Sequence, residues 1–266
     1  MNALLFPGQG SQIVGMGSEF YENFDLVKKI FQEADDKLNY NISKIILNGP
    51  ENELQLTKNT QPAILTVSYS IFRVLQEEFN CNINEFKYFA GHSLGEYSAL
   101  VSAQSLTLTD SLYLLHERGK AMQSAVPVGK GSMIAILGLK TEEVKNFLQK
   151  FNDNNNICEI ANDNADGQVI VSGAKQSINK LQELLKEKKI KSIPLKVSAP
   201  FHCSLMKPAA DSMKEKINNT KFKNPIVEII NNVTAKSEKD SNIIKNLLVD
   251  QIYSTVRWRE GLIYMS

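Results

Sequence analysis

A serine between two glycines, at the junction of an apolar run and a helix-forming run, constrains this chain more than any other feature. The stretch is FAGHSLGEYSAL, residues 89–100, in which Gly91 and Gly95 flank Ser93 in the pattern Gly-x-Ser-x-Gly. A surface turn needs no apolar approach, and a helix cap needs no flanking glycines. The pattern instead predicts a nucleophile elbow, a sharp strand-to-helix turn whose small neighbours allow a strained backbone that exposes the serine.

The segments around this motif predict strands that alternate with helices. Residues 3–12 read as a buried strand that ends in a glycine loop, and residues 87–93 read as a second strand. Between them, residues 62–79 predict a mostly apolar helix with Pro62 at its first position. Another helix is predicted to begin near Thr109, as its N-cap. This alternation predicts an α/β layer with a mainly parallel sheet.

The middle of the chain predicts an inserted subdomain. Residues 126–196 contain apolar segments in the order strand, helix, strand, strand, helix, strand, which is the ferredoxin-like arrangement. The expected fold is therefore α/β, with a large α/β-hydrolase-like domain formed by residues 1–125 and 197–266. The chain stops at GLIYMS inside a segment that still reads as helix, so the C-terminal part of this domain is expected to be incomplete.

Composition argues against several classes of protein. A formal net charge of +1 offers no broad basic surface for nucleic acid, and no run approaches the ~18 apolar residues that a membrane span needs. The N-terminus lacks the basic and long apolar regions of a secretory signal. The three cysteines are widely spaced and fit a reducing compartment, and no histidine or cysteine cluster has metal-ligand spacing. A soluble cytoplasmic protein without a bound metal is expected.

A serine nucleophile needs a base within hydrogen-bond reach, and the chain offers three histidines. His92 is adjacent to Ser93, so its side chain is expected to project away from the hydroxyl. His116 falls within a predicted helix, where a structural role is commoner. His202 follows Pro200 in a loop after the strand that closes the inserted subdomain, which favours it as the distant base.

Backbone amides near Ser93 are candidates for an oxyanion hole. The amide of Leu94 follows the nucleophile at the start of a helix, where the helix dipole favours negative charge. The loop PGQGSQ, residues 7–12, is a candidate for the second donor. The same loop fails as a dinucleotide fingerprint because Ile13 stands where glycine is needed, and VGKGS fails as a P-loop because Gly131 follows the lysine.

Arg118 follows Leu114 and Leu115 at helical spacing, so it lies on or beside the apolar face of its helix. A snorkelling side chain or a structural ion pair accounts for an arginine in that position. A clamp for a substrate carboxylate also accounts for it, because the planar guanidinium binds carboxylates in bidentate fashion better than lysine does. The spacing alone leaves both interpretations open.

Several motifs, taken together and in order, resemble one family. They are FPGQGSQ, GHSLGEYSALVSA, RGKAMQSAVPVGKGSMIAILGL, GQVIVSG and FHCSLMKPAA. Over nearly the whole chain they resemble the malonyl-CoA:acyl carrier protein transacylases of fatty acid synthesis. The combination of GHSLGE with a distant FH is far more specific than Gly-x-Ser-x-Gly alone.

The resemblance implies roles for the residues already singled out. Ser93 would carry the malonyl group and His202 would be its general base. The amides of Gln9 and Leu94 would form the oxyanion hole, and Arg118 would pair with the malonyl carboxylate. The substrate would be malonyl-CoA and the acceptor the phosphopantetheine thiol of acyl carrier protein. No cofactor beyond the coenzyme A thioester itself is expected, and the protein is expected to act as a monomer.

The resemblance also implies residues that no local pattern marks. The backbone carbonyl of Gln251 would orient the histidine in place of an aspartate, and Asn162 and Phe201 would line the acyl pocket. One departure concerns the loop after Gln251, where Thr255 stands in place of the proline usual in the family. A less rigid loop is expected from this exchange.

Two other functions fit parts of the pattern. A serine esterase or thioesterase of α/β-hydrolase type would share the elbow, but no HGGG-type oxyanion loop is found in the sequence. A catalytically silent module that binds acyl carrier protein would have no need of Ser93, His202 and Arg118 together.

Overall fold

The computed structural model describes residues 2–153, 157–195, 197 and 199–266. Residues that lie close together fall into two units, which are described separately. Unit 1 consists of Met1–Lys120, Lys216–Asn231 and Lys236–Asn246. Unit 2 consists of Ala121–Glu215, Asn232–Ala235 and Leu247–Ser266. The domain boundaries predicted from the sequence stay a prediction, because grouping by contacts does not identify an inserted domain.

Strands are distributed along the whole chain. In the described residues they are β1 (Asn2–Phe6), β2 (Phe86–Gly91), β3 (Gly131–Leu137), β4 (Cys158–Ala165), β5 (Gln168–Ala174), β6 (Ser192–Pro194), β7 (Glu228–Ile230) and β8 (Ser237–Glu238).

Helices connect these strands. In the same residues they are α1 (Ser18–Asn23), α2 (Asp25–Leu38), α3 (Ile42–Asn48), α4 (Glu51–Leu54), α5 (Thr57–Glu77), α6 (Gly95–Ser102), α7 (Leu108–Ser124), α8 (Thr141–Phe151), α9 (Lys175–Glu187), α10 (Lys207–Asn219), α11 (Ser241–Gln251) and α12 (Trp258–Met265). Two short 3-10 helices span Ile83–Glu85 and Ser204–Met206. None of the described helices is both long and apolar enough to cross a membrane.

Unit 1 contains a mixed sheet in the order β1-β2-β7-β8. The β1–β2 and β2–β7 pairs are parallel and the β7–β8 pair is antiparallel, as expected for a mainly parallel layer. Phe6 of β1, Phe89 of β2 and Phe72 of α5 pack edge to face, with ring centroids 5.7–6.3 Å apart. This aromatic core holds the first two strands against the long helix, and Ser93 lies directly beyond the end of β2.

Helix α5 begins earlier than the sequence predicts. It starts at Thr57, so Pro62 lies inside the helix and not at its first position. Proline has no N–H to donate to the carbonyl four residues before it, here that of Lys58. Nδ1 of His116 lies 3.1 Å from that carbonyl oxygen. The prediction failed because a side chain distant in sequence satisfies the carbonyl group that the proline leaves without its helical donor.

The N-cap prediction for the helix that contains Arg118 is also wrong. Helix α7 starts at Leu108, and the hydroxyl of Thr107 accepts the N–H of Asp110 at 3.0 Å. This is an N-cap bond to the third helical residue. The error arose because Thr107 and Thr109 are both capping residues, and only the backbone path distinguishes them.

Unit 2 contains an antiparallel sheet in the order β4-β5-β3-β6. The elements from β3 to β6 follow the strand, helix, strand, strand, helix, strand order predicted from the sequence. Both helices of this segment pack against the sheet, because each has a strongly amphipathic pattern. Their buried residues join those of the strands in one core, which includes Ile134, Val171, Val144, Leu148, Ile178 and Leu181.

Residues 18–54 and 207–219 contain α1 to α4 and α10, helices that were not predicted from the sequence. Helix α2 carried a readable signal. Its buried residues Val27, Ile30, Phe31 and Ala34 recur at the helical spacing of three and four residues. The first and fourth helices span only six and four residues, too few for such a period to be detected.

Candidate functional site

The turn at Ser93 has the geometry of an elbow. Strand β2 ends at Gly91 and helix α6 begins at Gly95, and Ser93 between them has a φ of +53°. A Cβ atom on Gly91 would lie 1.9 Å from the backbone of Gly95. A Cβ atom on Gly95 would lie 2.7 Å from the carbonyl oxygens of Phe6 and Pro7. Both glycines are therefore required by close backbone approach, which the sequence pattern anticipates.

The hydroxyl of Ser93 contacts a buried arginine. Nη2 of Arg118 donates to Ser93 Oγ at 3.1 Å, and Nη1 donates to Oε1 of Gln61 at 2.8 Å. All three side chains are buried, and Arg118 is only 1% exposed. Arg118 thus lies beside the candidate nucleophile. Sequence reasoning missed Gln61, because a glutamine inside an apolar helix belongs to no motif and its partner is 57 positions away.

The surroundings of Arg118 contain an aromatic ring and an acidic neighbour. The guanidinium carbon lies 5.9 Å from the centroid of the Tyr97 ring. Burial lowers the pKa of Arg118, while Tyr97 and Glu96 act in the opposite direction. Burial raises the pKa of Tyr97 to about 12, so this side chain stays neutral at physiological pH. Because the arginine is removed from water, its charge-assisted hydrogen bonds are stronger than those of an exposed arginine.

The two predicted oxyanion donors are the backbone amides of Leu94 and Gln9. The Leu94 residue caps helix α6, and Gln9 lies in the turn after β1. Across the described residues, neither N–H donates to a protein acceptor. The loop that contains Gln9 packs tightly against the elbow, since a Cβ atom on Gly8 would lie 2.6 Å from the carbonyl oxygen of His92. Their role in the reaction stays a prediction.

His116 makes a structural hydrogen bond. A carbonyl oxygen only accepts, so Nδ1 of His116 carries the proton that it shares with Lys58. Burial lowers the pKa of His116, and its ring packs 5.7 Å from that of Tyr40. These contacts account for the position of His116, and the choice of another histidine as the base stays a prediction.

In unit 2, His202 also has a positive φ, at +57°. Its side chain is buried, and its Nδ1 lies 2.8 Å from the carbonyl oxygen of Gln251. Because that oxygen can only accept, Nδ1 carries the proton in the neutral imidazole and Nε2 presents a lone pair. This is the tautomer that a general base needs, and the contact with Gln251 is the one that the resemblance implied.

His202 lines a cleft of about 730 Å³ within unit 2, together with residues of α8, β4 and the segment after α11. Asn162 lies in β4 and is buried, and it forms a parallel bridge with Val256. Phe201 is buried, and its carbonyl accepts the hydroxyl of Ser172 at 2.6 Å. Whether Asn162 and Phe201 contact an acyl group stays a prediction.

Neither Cys203 nor a metal site offers an alternative to a serine nucleophile in the described residues. Burial raises the pKa of Cys203 to about 12, and its thiol lies 3.1 Å from the carbonyl oxygen of Pro200. A protonated, buried thiol is a poor nucleophile. In the part of the chain that the structure describes, no three histidine, cysteine, aspartate or glutamate side chains lie where they could hold a metal ion.

The chain is similar to known proteins over nearly its whole length. Residues 3–265 match the acyl transferase domain family. A malonyl CoA-acyl carrier protein transacylase of Bacillus subtilis is 43% identical over 261 residues, covering 98% of this chain and 81% of that protein.

Solved structures give the same result. An acyl-carrier-protein-S-malonyltransferase of Bartonella henselae superposes with a TM-score of 0.95 at 43% identity, over 100% of this chain and 85% of that one. A type II PKS acyl-carrier protein in complex with its malonyl-transacylase also matches, with a TM-score of 0.94 at 39% identity, over 99% of this chain and 84% of that one.

Proposed function

This chain belongs to the acyl transferase domain family and is an acyltransferase, and on that premise we propose that it transfers a malonyl group from malonyl-CoA to acyl carrier protein. The acceptor is the phosphopantetheine thiol of the carrier, and the product enters fatty acid synthesis. Two of the matched relatives are named for this reaction, and a third is a complex with a carrier protein.

One observation carries the choice of a malonyl group over a neutral acyl group. The guanidinium of Arg118 is buried and lies at hydrogen-bond distance from the Ser93 hydroxyl. An acyl group on Ser93 that ends in a carboxylate would place that carboxylate within reach of a buried cation. A charge-assisted bidentate pair would form there, whereas an acetyl group would add no charge. The site therefore favours dicarboxylic half-thioesters.

In the proposed first step, Ser93 Oγ attacks the thioester carbonyl of malonyl-CoA. Nε2 of His202 accepts the hydroxyl proton as the C–O bond forms. The negative charge on the carbonyl oxygen is stabilised by the amides of Gln9 and Leu94. The C–S bond then breaks and the proton passes from His202 to the sulfur of coenzyme A. The product is a malonyl ester on Ser93.

In the second step, the thiol of the carrier protein attacks that ester. His202 accepts the thiol proton as the new C–S bond forms, and returns it to Ser93 Oγ when the ester C–O bond breaks. Gln251 keeps the imidazole in the tautomer that both steps need. Asn162 and Phe201 line the acyl pocket in this scheme, and a single chain suffices for the reaction.

The fold is assigned more finely on the same premise. We assign residues 126–196 to a ferredoxin-like subdomain inserted into an α/β-hydrolase-like domain formed by residues 1–125 and 197–266. The antiparallel order β4-β5-β3-β6, with two helices on the sheet, supports the first assignment. The parallel pairs of β2 with β1 and β7, followed by the elbow, support the second.

Loading with malonyl-CoA, followed by intact mass measurement and peptide mapping, tests the proposal. The wild-type protein should gain one malonyl group on Ser93, and Ser93→Ala should gain none. Ser98→Ala is the matched control, because Ser98 is a buried serine of α6, the helix that follows Ser93, and its hydroxyl has no hydrogen-bond partner among the described residues. It should load normally.

The loaded protein then separates the enzyme classes. A carrier thiol should remove the malonyl group from Ser93 far faster than water does. Faster removal by water would identify an esterase or thioesterase. If the wild-type protein gained no adduct, the remaining interpretation would be a catalytically silent module that binds acyl carrier protein.

A further inference from the structure

Strand β4 contacts the segment that follows His202. The carboxylate of Glu159, near the start of β4, accepts the N–H of Ser204 at 3.1 and 3.2 Å. It also accepts the hydroxyl of Ser204. Ser204 begins the 3-10 helix Ser204–Met206, so one carboxylate caps this helix two residues beyond the histidine.

The next residues of β4 contact the segment that follows Gln251. The hydroxyl of Thr255 donates to the carbonyl of Ile160 at 2.5 Å. The N–H of Val256 donates to the carbonyl of Ala161 at 2.8 Å, and the N–H of Asp163 donates to the carbonyl of Val256 at 2.9 Å. The loop expected to be less rigid because of Thr255 is therefore bonded to the strand through that threonine, a bond that proline cannot make.

The two sets of contacts bear on the same hydrogen bond. His202 donates to the carbonyl of Gln251, and its own backbone is in the left-handed region, which costs energy for a non-glycine residue. Such a conformation persists only where the surroundings hold it. Glu159 bonds to Ser204 two residues after the histidine, and Glu159 and His202 line the same cleft.

We propose that Glu159 is a positioning residue for His202, and that Thr255 is its counterpart for the carbonyl of Gln251. Residues 159–161 of β4 thus bond to the segment after His202 and to the segment after Gln251, and so hold both the histidine and the carbonyl in position. Loss of either bond lets the imidazole sample orientations in which Nε2 is displaced from the reactive geometry. This inference rests on the proposed function, because it assigns the proton-transfer step to His202.

The test is the kinetics of malonyl loading in Glu159→Ala, Glu159→Gln and Thr255→Val. Small displacements of a reacting group cost large factors in rate, so Glu159→Ala should lower the loading rate constant about tenfold at saturating malonyl-CoA. The KM should be unchanged. Glu159→Gln keeps an acceptor oxygen and should recover most of the rate. Thr255→Val keeps the shape of the side chain but removes the hydroxyl donor. Its loading rate constant should lie between those of the two Glu159 variants. Glu183→Ala on the exposed face of α9 is the matched control and should match the wild type.

The final extent of loading separates positioning from a loss of folded protein. A positioning role lowers the rate constant while all Ser93 still becomes loaded at long times, whereas partial unfolding lowers the loaded fraction and leaves the rate constant unchanged. Wild-type rates in both Glu159 variants would overturn this inference alone. No loading in the wild type would instead overturn the proposed function.

Discussion

Ser93 in unit 1 and His202 in unit 2 both adopt a positive φ, at +53° and +57°, although neither is glycine. The two units hold this conformation by different means. Around Ser93 the backbone itself leaves no alternative, because Gly91 and Gly95 approach other backbone atoms more closely than any side chain permits. Around His202 the carboxylate of Glu159 accepts a hydrogen bond from the N–H of Ser204, and the imidazole donates one to the carbonyl of Gln251.

This difference explains why the conformation of the serine turn was readable in the sequence and that of the histidine turn was not. A turn held by glycines within four residues leaves a local signature. A turn held by a side chain 45 positions away leaves none. It also predicts that the serine turn is sensitive to added atoms and the histidine turn to lost hydrogen bonds.

The largest effect is expected from Gly91→Ala. The added methyl would overlap the backbone of Gly95, which cannot move without displacing helix α6, and we expect a loss of about 5 kcal/mol or more in the free energy of unfolding. Urea denaturation measures this loss. The control is Ala90→Gly, which removes atoms from the preceding buried position and should cost far less. A stable Gly91→Ala protein that loads malonyl normally would show that the serine turn is not held by backbone packing.

His202→Ala should slow loading of Ser93 by about 10²- to 10⁴-fold, because the general base is lost. Folding should be retained, since the turn is held partly by Glu159. His202→Gly is a useful companion, because glycine suits the positive φ and should give a protein at least as stable as His202→Ala. Stopped-flow loading and urea midpoints measure the two properties. Equal damage to loading in His116→Ala would contradict the choice of base.

Arg118→Ala should lower kcat/KM for malonyl-CoA by roughly 10²-fold, because a buried charge-assisted pair with the carboxylate is lost. Transfer of acetyl groups should be unchanged or faster, since acetyl-CoA has no carboxylate to pair. Arg118→Lys keeps the charge but not the planar fork and should recover only part of the malonyl activity. The measurement is kcat/KM for both thioesters in all three proteins. Equal losses for both substrates would show that Arg118 is structural.

The smallest effect is expected at His116, which bonds the Lys58 carbonyl that Pro62 leaves without its helical donor. His116→Ala should lower the free energy of unfolding by about 1 kcal/mol and leave malonyl transfer unchanged. His116→Asn places an amide N–H near the position of Nδ1 and should recover part of the stability. A large loss of transfer in a folded His116→Ala protein would place this histidine in the reaction.

The contribution of His116 to the stability of the folded protein depends on pH. Burial lowers the pKa of His116 below its ordinary value of 6.5, so the unfolded chain binds the proton more readily than the folded one. The stabilising contribution is therefore present above pH 6.5 and is lost as the pH falls through the lowered folded value. Urea midpoints measured across this range should lose that acid-side decline in His116→Asn.

The sequence by itself determined the parts of the protein whose causes are local. Gly-x-Ser-x-Gly after an apolar run predicted the strand, turn and helix around Ser93, because the glycines and the serine act within one turn. The order of elements from β3 to β6 followed from apolar periodicity in the same way. Helical spacing and position in the chain also pointed to Arg118 and His202 as candidates, whereas only the family resemblance pointed to Gln251 and nothing pointed to Gln61.

Only the tertiary structure shows the contacts that these residues make. Gln61 lies 57 positions from Arg118, and the carbonyl that holds His202 lies 49 positions away on a backbone group that every residue possesses. His116 likewise lies 58 positions from the Lys58 carbonyl that it contacts at the start of helix α5. A backbone carbonyl acquires a particular hydrogen-bond partner only through its position in the folded protein. Contacts between segments far apart in sequence set that position, and no local sequence pattern predicts them.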